Sequence, residues 1–258
     1  MEKILHSLGK FTLAVFETVG RFMSFLFLIT KASFTPPFYP KLILKQFFRV
    51  GFYSLPVVGL TAIFSGMVLA LQTYSGFGDL SSEGIVSMVV AVSMVREMGP
   101  VFAGLMVAGR VGAAMAAELG TMRVSEQIDA LKTLAVRPFH YLIAPRVIAT
   151  VLMLPLLTLV ADIIGVFGGF LISTESLGFN PALYLQKTFQ SLETIDVVSG
   201  LVKGLVFGFF ISALGCYHGY YSKGGAEGVG KATTLAVVSG SVVVLLMNYF
   251  ITEMFFGV

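Results

Sequence analysis

Five ionisable residues interrupt long apolar stretches of this sequence: Arg96, Glu97, Arg110, Asp162 and Lys203. If these stretches cross a bilayer, each central charge costs at least about 2.5–3.5 kcal/mol and needs a partner or a wet cavity. Arg96 and Glu97 are adjacent and project about 100° apart on a helix, so both cannot face lipid cheaply. One interpretation is ion pairs that brace helices, such as Glu97 with Lys203 or Arg96 with Asp162. The other is a polar path for a charged headgroup.

Catalytic chemistry has little support in the sequence. The segment Gly225–Ala232 nearly matches a phosphate-binding loop, but Ala232 stands where magnesium binding requires Ser or Thr. The segment also lies between two apolar stretches rather than after a buried strand. The three histidines have no metal partner at helical spacing, and no Gly-x-Ser-x-Gly motif occurs. We therefore predict no catalytic residue, no metal site and no cofactor in this chain, with an intramembrane enzyme as a disfavoured alternative.

The composition is typical of a membrane protein. Of the 258 residues, 56% are hydrophobic and only 12% are charged, and the mean hydropathy is +0.90. Soluble domains average about 25% charged residues, so this chain has too few polar residues to cover a water-soluble surface. The same composition excludes a disordered chain and a nucleic-acid binder. Cys216 is the single cysteine, which excludes an internal disulfide.

Five stretches are long and apolar enough to cross about 30 Å of hydrocarbon as helices. They are residues 50–72, 84–117, 147–174, 197–217 and 232–252. The second and third exceed one bilayer crossing and carry Pro100 and Pro155, so tilting, a kink or an extension beyond the membrane must absorb the excess. The predicted fold class is therefore all-α, a polytopic membrane protein with five transmembrane helices.

The distribution of Lys and Arg predicts the orientation of the spans. With the N-terminus inside, thirteen of the seventeen basic residues lie on the inner side. Lys187 is the one basic residue outside, and Arg96, Arg110 and Lys203 lie within spans. The positive-inside rule then places the N-terminus in the cytoplasm and the C-terminus on the outer side.

Residues 1–40 form a separate N-terminal segment. Four charged side chains fall within an arc of about 40° on a helix: Lys3, Lys10, Glu17 and Arg21. The longest uncharged piece, residues 22–30, is too short to span a bilayer. We therefore predict an amphipathic helix that lies in the cytoplasmic interface and ends near Thr35–Pro37.

A second amphipathic stretch lies between the second and third spans, at residues 121–136. One face of the predicted helix is apolar and consists of Val124, Ile128, Leu131 and Ala135. The opposite face is polar and consists of Ser125, Glu126, Asp129, Lys132 and Thr133. Three interpretations are open for such a helix: it rests on headgroups, it docks a partner, or it only seals the bundle.

Small residues at helical spacing predict close helix packing on two spans. One stripe consists of Gly200, Gly204, Gly208 and Ser212, and another of Gly165 and Gly169. Packing within the chain is the favoured interpretation of these stripes, and a subunit interface is the alternative.

Several segments of the sequence resemble the MlaE/YrbE permease family. The motifs are Arg96-Glu-Met-Gly-Pro100, Ala108-Gly-Arg110, Ala117–Leu131, Ala144-Pro-Arg146 and Gly224–Thr234. The resemblance covers about residues 45–255 and is most specific in its central block. It implies the membrane subunit of an ABC transporter in the bacterial inner membrane, which moves phospholipids between inner and outer membranes. The permease domain then comprises residues 41–258, and the outer side is the periplasm.

The resemblance also implies the partners of the chain. Permeases of this family are homodimers that associate with two cytoplasmic ATPase subunits, which bind ATP and magnesium. A hexamer of MCE-domain proteins lies on the periplasmic side, and a STAS-domain protein accompanies the ATPase in many bacteria. A membrane scaffold that does not transport is the alternative function.

Two groups of site residues follow from the resemblance, and the charge analysis adds a third. The lipid path at the dimer centre corresponds to Leu69, Gln72, Tyr74, Arg96 and Glu97. The coupling helix, about residues 121–136, presents to the ATPase Arg123, Ser125, Glu126, Gln127, Asp129 and Lys132. The structural or gating charges are Arg110, Glu118, Asp162 and Lys203, of which Arg110 and Glu118 lie nearer the cytoplasmic end and are expected to brace helices or snorkel.

Overall fold

The structure, a computed structural model, describes residues 2–78 and 83–257, and within them all regular structure is helical. The α-helices are α1 (Glu2–Phe34), α2 (Pro40–Val50), α3 (Leu55–Phe77), α4 (Glu83–Ser93), α5 (Gly99–Val107), α6 (Ala113–Val124), α7 (Gln127–Thr133), α8 (Ala144–Glu175), α9 (Pro181–Ser191), α10 (Thr194–Tyr220) and α11 (Gly225–Phe256). Single π-helical turns, at Met94–Met98, Ala108–Gly112 and Phe139–Ile143, precede α5, α6 and α8. A 3₁₀ turn at Phe52–Ser54 joins α2 to α3.

Five helical segments of the described chain are long and apolar enough to cross a membrane. They are Pro40–Phe77, Glu83–Val124, Phe139–Glu175, Thr194–Tyr220 and Gly225–Phe256. Each predicted span is confirmed as helical, and all five extend past the predicted boundaries. The chain is therefore a multi-pass membrane protein.

The five spans run back and forth between two ends of a helical bundle. The end that holds residues 35–54, 118–146 and 217–231 is called the basic end, and the Arg49–Glu118 ion pair joins two of its segments. At the opposite end, the Asn180 N–H donates to Glu83 Oε1 at 2.8 Å. α1 directly precedes residues 35–54 and therefore lies at the basic end. Because the chain then crosses the bundle five times, the last turn of α11 lies at the opposite end.

The predicted N-terminal helix is confirmed as α1, which ends at Phe34, directly before the predicted break. Phe25 and Ile29 are fully buried, and the Phe25 ring packs edge-on against Tyr217 at the basic end. Many apolar side chains on the other faces of α1 are exposed. The side chain of Lys3 lies outside the described residues. α1 thus joins the bundle through its C-terminal half and offers an apolar surface suited to lipid.

The stripe of small residues on α10 packs against α8 of the same chain. A Cβ added at Gly204 would lie 2.9 Å from the Pro155 Cα, and one at Gly208 would lie 2.8 Å from the Thr150 carbonyl oxygen. Both distances are shorter than real Cβ contacts, so the backbones touch directly. Packing within the chain, the favoured interpretation of this stripe, is therefore correct.

We expect Gly208→Ala to lower the free energy of unfolding by about 1–3 kcal/mol, because the added methyl group must displace the α8 backbone. Gly109→Ala is the matched control, since a Cβ at Gly109 meets no atom within 4 Å. Thermal unfolding of the purified protein in detergent measures both variants. Equal melting temperatures for Gly208→Ala and Gly109→Ala would contradict the close approach of α10 to α8.

Candidate functional site

The charged pair Arg96 and Glu97 lies in the π-helical turn Met94–Met98, shortly before Pro100. Pro100 has no N–H to donate to the Arg96 carbonyl, which lies four residues earlier. Lys203 of α10 fills this gap, because its Nζ donates to the Arg96 carbonyl oxygen at 2.7 Å. The helix therefore passes Pro100 without interruption, and a side chain from another span supplies the missing hydrogen bond. π turns inside α-helices are frequent at functional sites.

The Glu97 carboxylate joins three spans. Its Oε1 accepts hydrogen bonds from Lys203 Nζ at 2.9 Å and from Thr252 Oγ1 at 2.8 Å. Its Oε2 accepts one from Asn248 Nδ2 at 2.7 Å. The Lys203 side chain is fully buried, whereas 38% of the Glu97 side chain is exposed. The Glu97–Lys203 pair considered from the sequence is therefore present, and Glu97 lies at the open edge of this network.

Arg96 pairs with Asp196, so the alternative pair of Arg96 with Asp162 is wrong. Arg96 Nε donates to Asp196 Oδ1 at 2.6 Å. The fully buried Asp196 carboxylate also accepts the Glu193 N–H at 2.9 Å, which makes Glu193 and Asp196 a capping box at the start of α10. The Arg96 guanidinium carbon lies 4.3 Å from the centre of the Phe256 ring. The Arg96 side chain, 32% exposed, is thus held between α10 and the last turn of α11.

Three members of this network were not predicted from the sequence: Asp196, Asn248 and Thr252. The predicted fourth span began at residue 197, one position after Asp196. The Glu193-x-x-Asp196 spacing resembles a helix-start signal and could have moved that boundary. Asn248 is an amide inside an otherwise apolar span, which marks it as a partner for a buried charge.

Asp162 lies apart from this network. It is 6% exposed, and its Oδ1 has no hydrogen-bond partner among the described side chains. Its carboxyl group lies against Gly99 and Gly200, where a methyl group would collide with or touch it. Asp162 lines an apolar cleft of about 470 Å³ between α8, α9 and the start of α10. Two glycines therefore make the room that the carboxyl group occupies.

The three lipid-path candidates on α3 do not form one surface. Leu69 is half-buried and packs with the cluster that contains Met94, beside the π turn of Arg96 and Glu97. Gln72 and Tyr74 are exposed, and they project from different sides of α3 because they are two residues apart. The Tyr74 ring lies 5.9 Å from the ring of Phe179, toward the opposite end of the bundle.

The region predicted as one coupling helix, residues 121–136, is two helices, so the single-helix prediction is wrong. α6 ends at Val124 and α7 covers only Gln127–Thr133. Between them, Glu126 has a φ of 57°, which lies in the left-handed region and interrupts the helical hydrogen-bond ladder. The Ser125 hydroxyl donates to the Thr121 carbonyl at 2.8 Å, a side-chain bond that competes with helix continuation.

The polar face around α7 nevertheless reaches the surface. Asp129 accepts a hydrogen bond from Arg123 Nη1 at 2.8 Å, which fixes α7 to the end of α6, and another from Lys132 Nζ at 2.8 Å within α7. The hydrogen bond from Lys132 holds the pKa of the Asp129 carboxyl below its usual value. Ile128 is fully buried beneath these groups. Three predicted coupling residues are exposed beside them: Ser125, Glu126 and Gln127.

Two of the predicted structural charges, Arg110 and Glu118, lie at the basic end. Glu118 pairs with Arg49 of α2 and, at 3.1 Å, with Arg146 of α8. Arg110 Nη1 donates to the Ser54 hydroxyl at 2.7 Å. These contacts tie the second span to the first and the third.

Comparison with known proteins identifies the family. The chain matches the family Permease MlaE over residues 43–254. It is 54% identical over 256 residues to a probable ABC transporter permease protein of Rickettsia prowazekii, with 99% of each chain covered. It is 35% identical over 256 residues to the intermembrane phospholipid transport system permease protein MlaE of Haemophilus influenzae, covering 98% of this chain and 97% of that one. The chain therefore belongs to the MlaE permease family.

Proposed function

We propose that this chain is the permease subunit of an ABC transporter that moves phospholipids between the inner and outer membranes of a bacterium. The observation that carries the proposal is the charged network in an apolar bundle, in which Arg96 and Glu97 are partly exposed and Lys203 is buried. A phospholipid has a charged headgroup and two apolar chains, so its path needs few charges amid a large apolar surface. Arg96 contacts the lipid phosphate, while Glu97 and Lys203 hold its turn in place.

The permease acts as a homodimer with the lipid path between the two copies. α3 and α11 expose rows of large apolar side chains, among them Leu60, Phe64, Val238, Val242 and Leu245. These faces are available for lipid and for the second copy. The dimer brings the open edge at Glu97 and the half-buried Leu69 of both copies toward one cavity, which Gln72 and Tyr74 border.

The basic end faces the cytoplasm and contacts an ABC ATPase dimer, which binds the ATP and magnesium that drive transport. The permease itself catalyses no reaction. α7 and the adjoining exposed residues Glu126 and Leu134 form the coupling surface on the ATPase, with a STAS-domain protein as an accessory partner. The opposite end, which carries α9, faces a hexamer of MCE-domain proteins in the periplasm.

Transport of labelled phospholipid in proteoliposomes tests this function. The permease, its ATPase and the MCE-domain partner are reconstituted together, and transfer of lipid to acceptor vesicles is followed with and without ATP. We expect ATP-dependent transfer that falls at least tenfold in Arg96→Gln, since a charge-assisted contact to phosphate is lost. A complex that hydrolyses ATP but transfers no lipid would contradict the proposal.

Chemical labelling tests the proposed orientation. In a Cys216→Ser background we expect a cysteine at Arg21 to react with a membrane-impermeant maleimide from the cytoplasmic side, because this exposed position lies on α1 at the basic end. A cysteine at Lys187, exposed on α9, should react from the periplasmic side. The two positions control for each other in the same vesicles. The reverse pattern would overturn the orientation, and labelling of Arg21→Cys from both sides would do the same.

A further inference from the structure

A polar pocket of about 200 Å³ lies at the basic end, between α2 and the second span. Arg49, Arg110 and Glu118 line it, together with apolar side chains that include Val111 and Met115. Arg110 follows Glu97 by thirteen residues in the sequence, which is about 20 Å along a helix. The pocket is therefore separate from the network around Glu97.

Positive charge exceeds negative charge in this pocket. Both oxygens of Glu118 are occupied, because Oε1 pairs with Arg49 and Oε2 pairs with Arg146 at 3.1 Å. Arg110 Nη1 reaches neutral acceptors, the Ser54 hydroxyl at 2.7 Å and the Arg49 carbonyl oxygen at 3.2 Å. Arg110 takes part in none of the ion pairs of the described residues. Arg49 and Arg146 thus share the Glu118 carboxylate, and among the described residues Arg110 has no carboxylate partner.

The unbalanced charge favours an anion in the pocket. A half-buried guanidinium with only neutral acceptors has lost part of its hydration without gaining a counter-ion. Guanidinium groups bind phosphate oxygens through paired, charge-assisted hydrogen bonds, which are about twice as strong as neutral ones. Two arginines that line one pocket from different helices therefore match the chemistry of a phosphate group.

The pocket also lies at the depth of lipid headgroups. Its wall α2 carries Lys41, Lys45 and Arg49 within 11 residues and directly precedes the apolar helix α3. A basic segment immediately before a span is typical of the level at which lipid phosphates lie. The apolar side chains Val111 and Met115 complete the wall on the side of the second span.

We propose that Arg110 and Arg49 bind the phosphate group of a phospholipid in the membrane leaflet at the basic end. Arg110 keeps its hydrogen bond to Ser54, which aims the guanidinium, and donates its remaining N–H groups to the phosphate. Arg49 donates from the other side while it holds Glu118. This site concerns lipid binding alone and does not rest on the proposed transport function.

Lipid titration of the full-length chain in detergent tests the site. Stabilisation against heat is measured with dioleoyl phosphatidic acid, with dioleoyl glycerol, which lacks the phosphate, and with inorganic phosphate. We expect phosphatidic acid to stabilise the protein and the other two to have little effect. Arg110→Gln should raise the apparent Kd for phosphatidic acid about tenfold. Arg137→Gln, which removes the same charge from an exposed position at the same end, should leave that Kd within twofold.

Three outcomes would overturn the site. The first is an equal Kd for phosphatidic acid in the wild type and in Arg110→Gln. The second is a Kd that rises as much in Arg137→Gln as in Arg110→Gln, which would indicate attraction by net charge alone. The third is stabilisation by inorganic phosphate as strong as that by phosphatidic acid, which would indicate a site for soluble anions. If Arg110→Gln does not fold, Arg110→Lys replaces it, since lysine keeps the charge but loses the paired geometry and should still weaken lipid binding.

Discussion

Replacement of Glu97 by alanine is expected to lower the free energy of unfolding by about 3–5 kcal/mol, the range found when one partner of a buried ion pair is removed. The reason is Lys203, whose side chain is fully buried. Without Glu97 its ammonium keeps only the Arg96 carbonyl oxygen as an acceptor among the contacts described above. The Asn248 amide loses its Glu97 acceptor at the same time, whereas the Thr252 hydroxyl keeps the Asn248 carbonyl oxygen at 2.9 Å. Thermal unfolding in detergent measures the loss.

The double variant Glu97→Ala with Lys203→Met separates an unpaired charge from lost packing. Removal of both charges should recover much of the lost stability, because no buried charge is then left without a partner. Thr252→Val removes one hydrogen bond to Glu97 and is the mild control, expected to cost about 0.5–1.5 kcal/mol. A double variant that is no more stable than Glu97→Ala would show that the pair does not act as a unit.

The double variant combines Glu97 with Lys203 and not with Arg96, its neighbour in the sequence. The sequence places Arg96 beside Glu97, but their side chains diverge to different spans, Arg96 to Asp196 and Glu97 to Lys203. Arg96→Ala leaves a buried Asp196 that still caps α10. We therefore expect Arg96→Ala to lose less stability than Glu97→Ala while it retains less co-purified phospholipid.

Much of the architecture followed from composition and periodicity. The five spans are long, mostly apolar runs, and hydrocarbon leaves such runs no structure but a helix. Close packing of the α10 stripe could be predicted, because residues with small side chains permit close approach of helices. Helix α9 was not predicted, although Asn180 followed by Pro181 is a helix-start signal, and the Asn180 side chain does accept from the Ala182 and Leu183 N–H groups.

Partners of the charges could not be predicted in the same way. Which side chain faces Arg96 depends on the order and rotation of the spans in the bundle, and a helical period gives neither. Asp162 is an example of a wrong pairing. Its position on an apolar span suggested a charged partner, but in the structure two glycines lie against its carboxyl group. The break at Glu126 was also missed, since an amphipathic pattern continues across it and only the backbone conformation shows the interruption.

Reversal of charge on the proposed coupling surface should uncouple ATP hydrolysis from lipid transport. Glu126→Lys places a positive charge at an exposed position beside α7, where no ion pair of the described residues involves Glu126. Like charges brought together at an interface cost several kcal/mol, and each 1.4 kcal/mol is about a tenfold loss in affinity. We expect ATP-driven transport to fall more than tenfold, while the ATPase subunits still hydrolyse ATP and the permease remains inserted.

The two acidic residues of this surface, Glu126 and Asp129, differ in their contacts, and the variants are chosen to separate their effects. Asp129 holds α7 to α6 through Arg123, so Asp129→Lys also removes the contact that fixes the helix. Glu126→Lys alone therefore tests the surface, and the double variant with Asp129→Lys tests the surface and the fixation of α7 together. Glu227→Lys, the same change at an exposed residue in the first turn of α11, is the control; it also removes the Glu227–Lys231 ion pair and should transport normally. Normal transport in both Glu126→Lys and the double variant would remove α7 from the coupling mechanism.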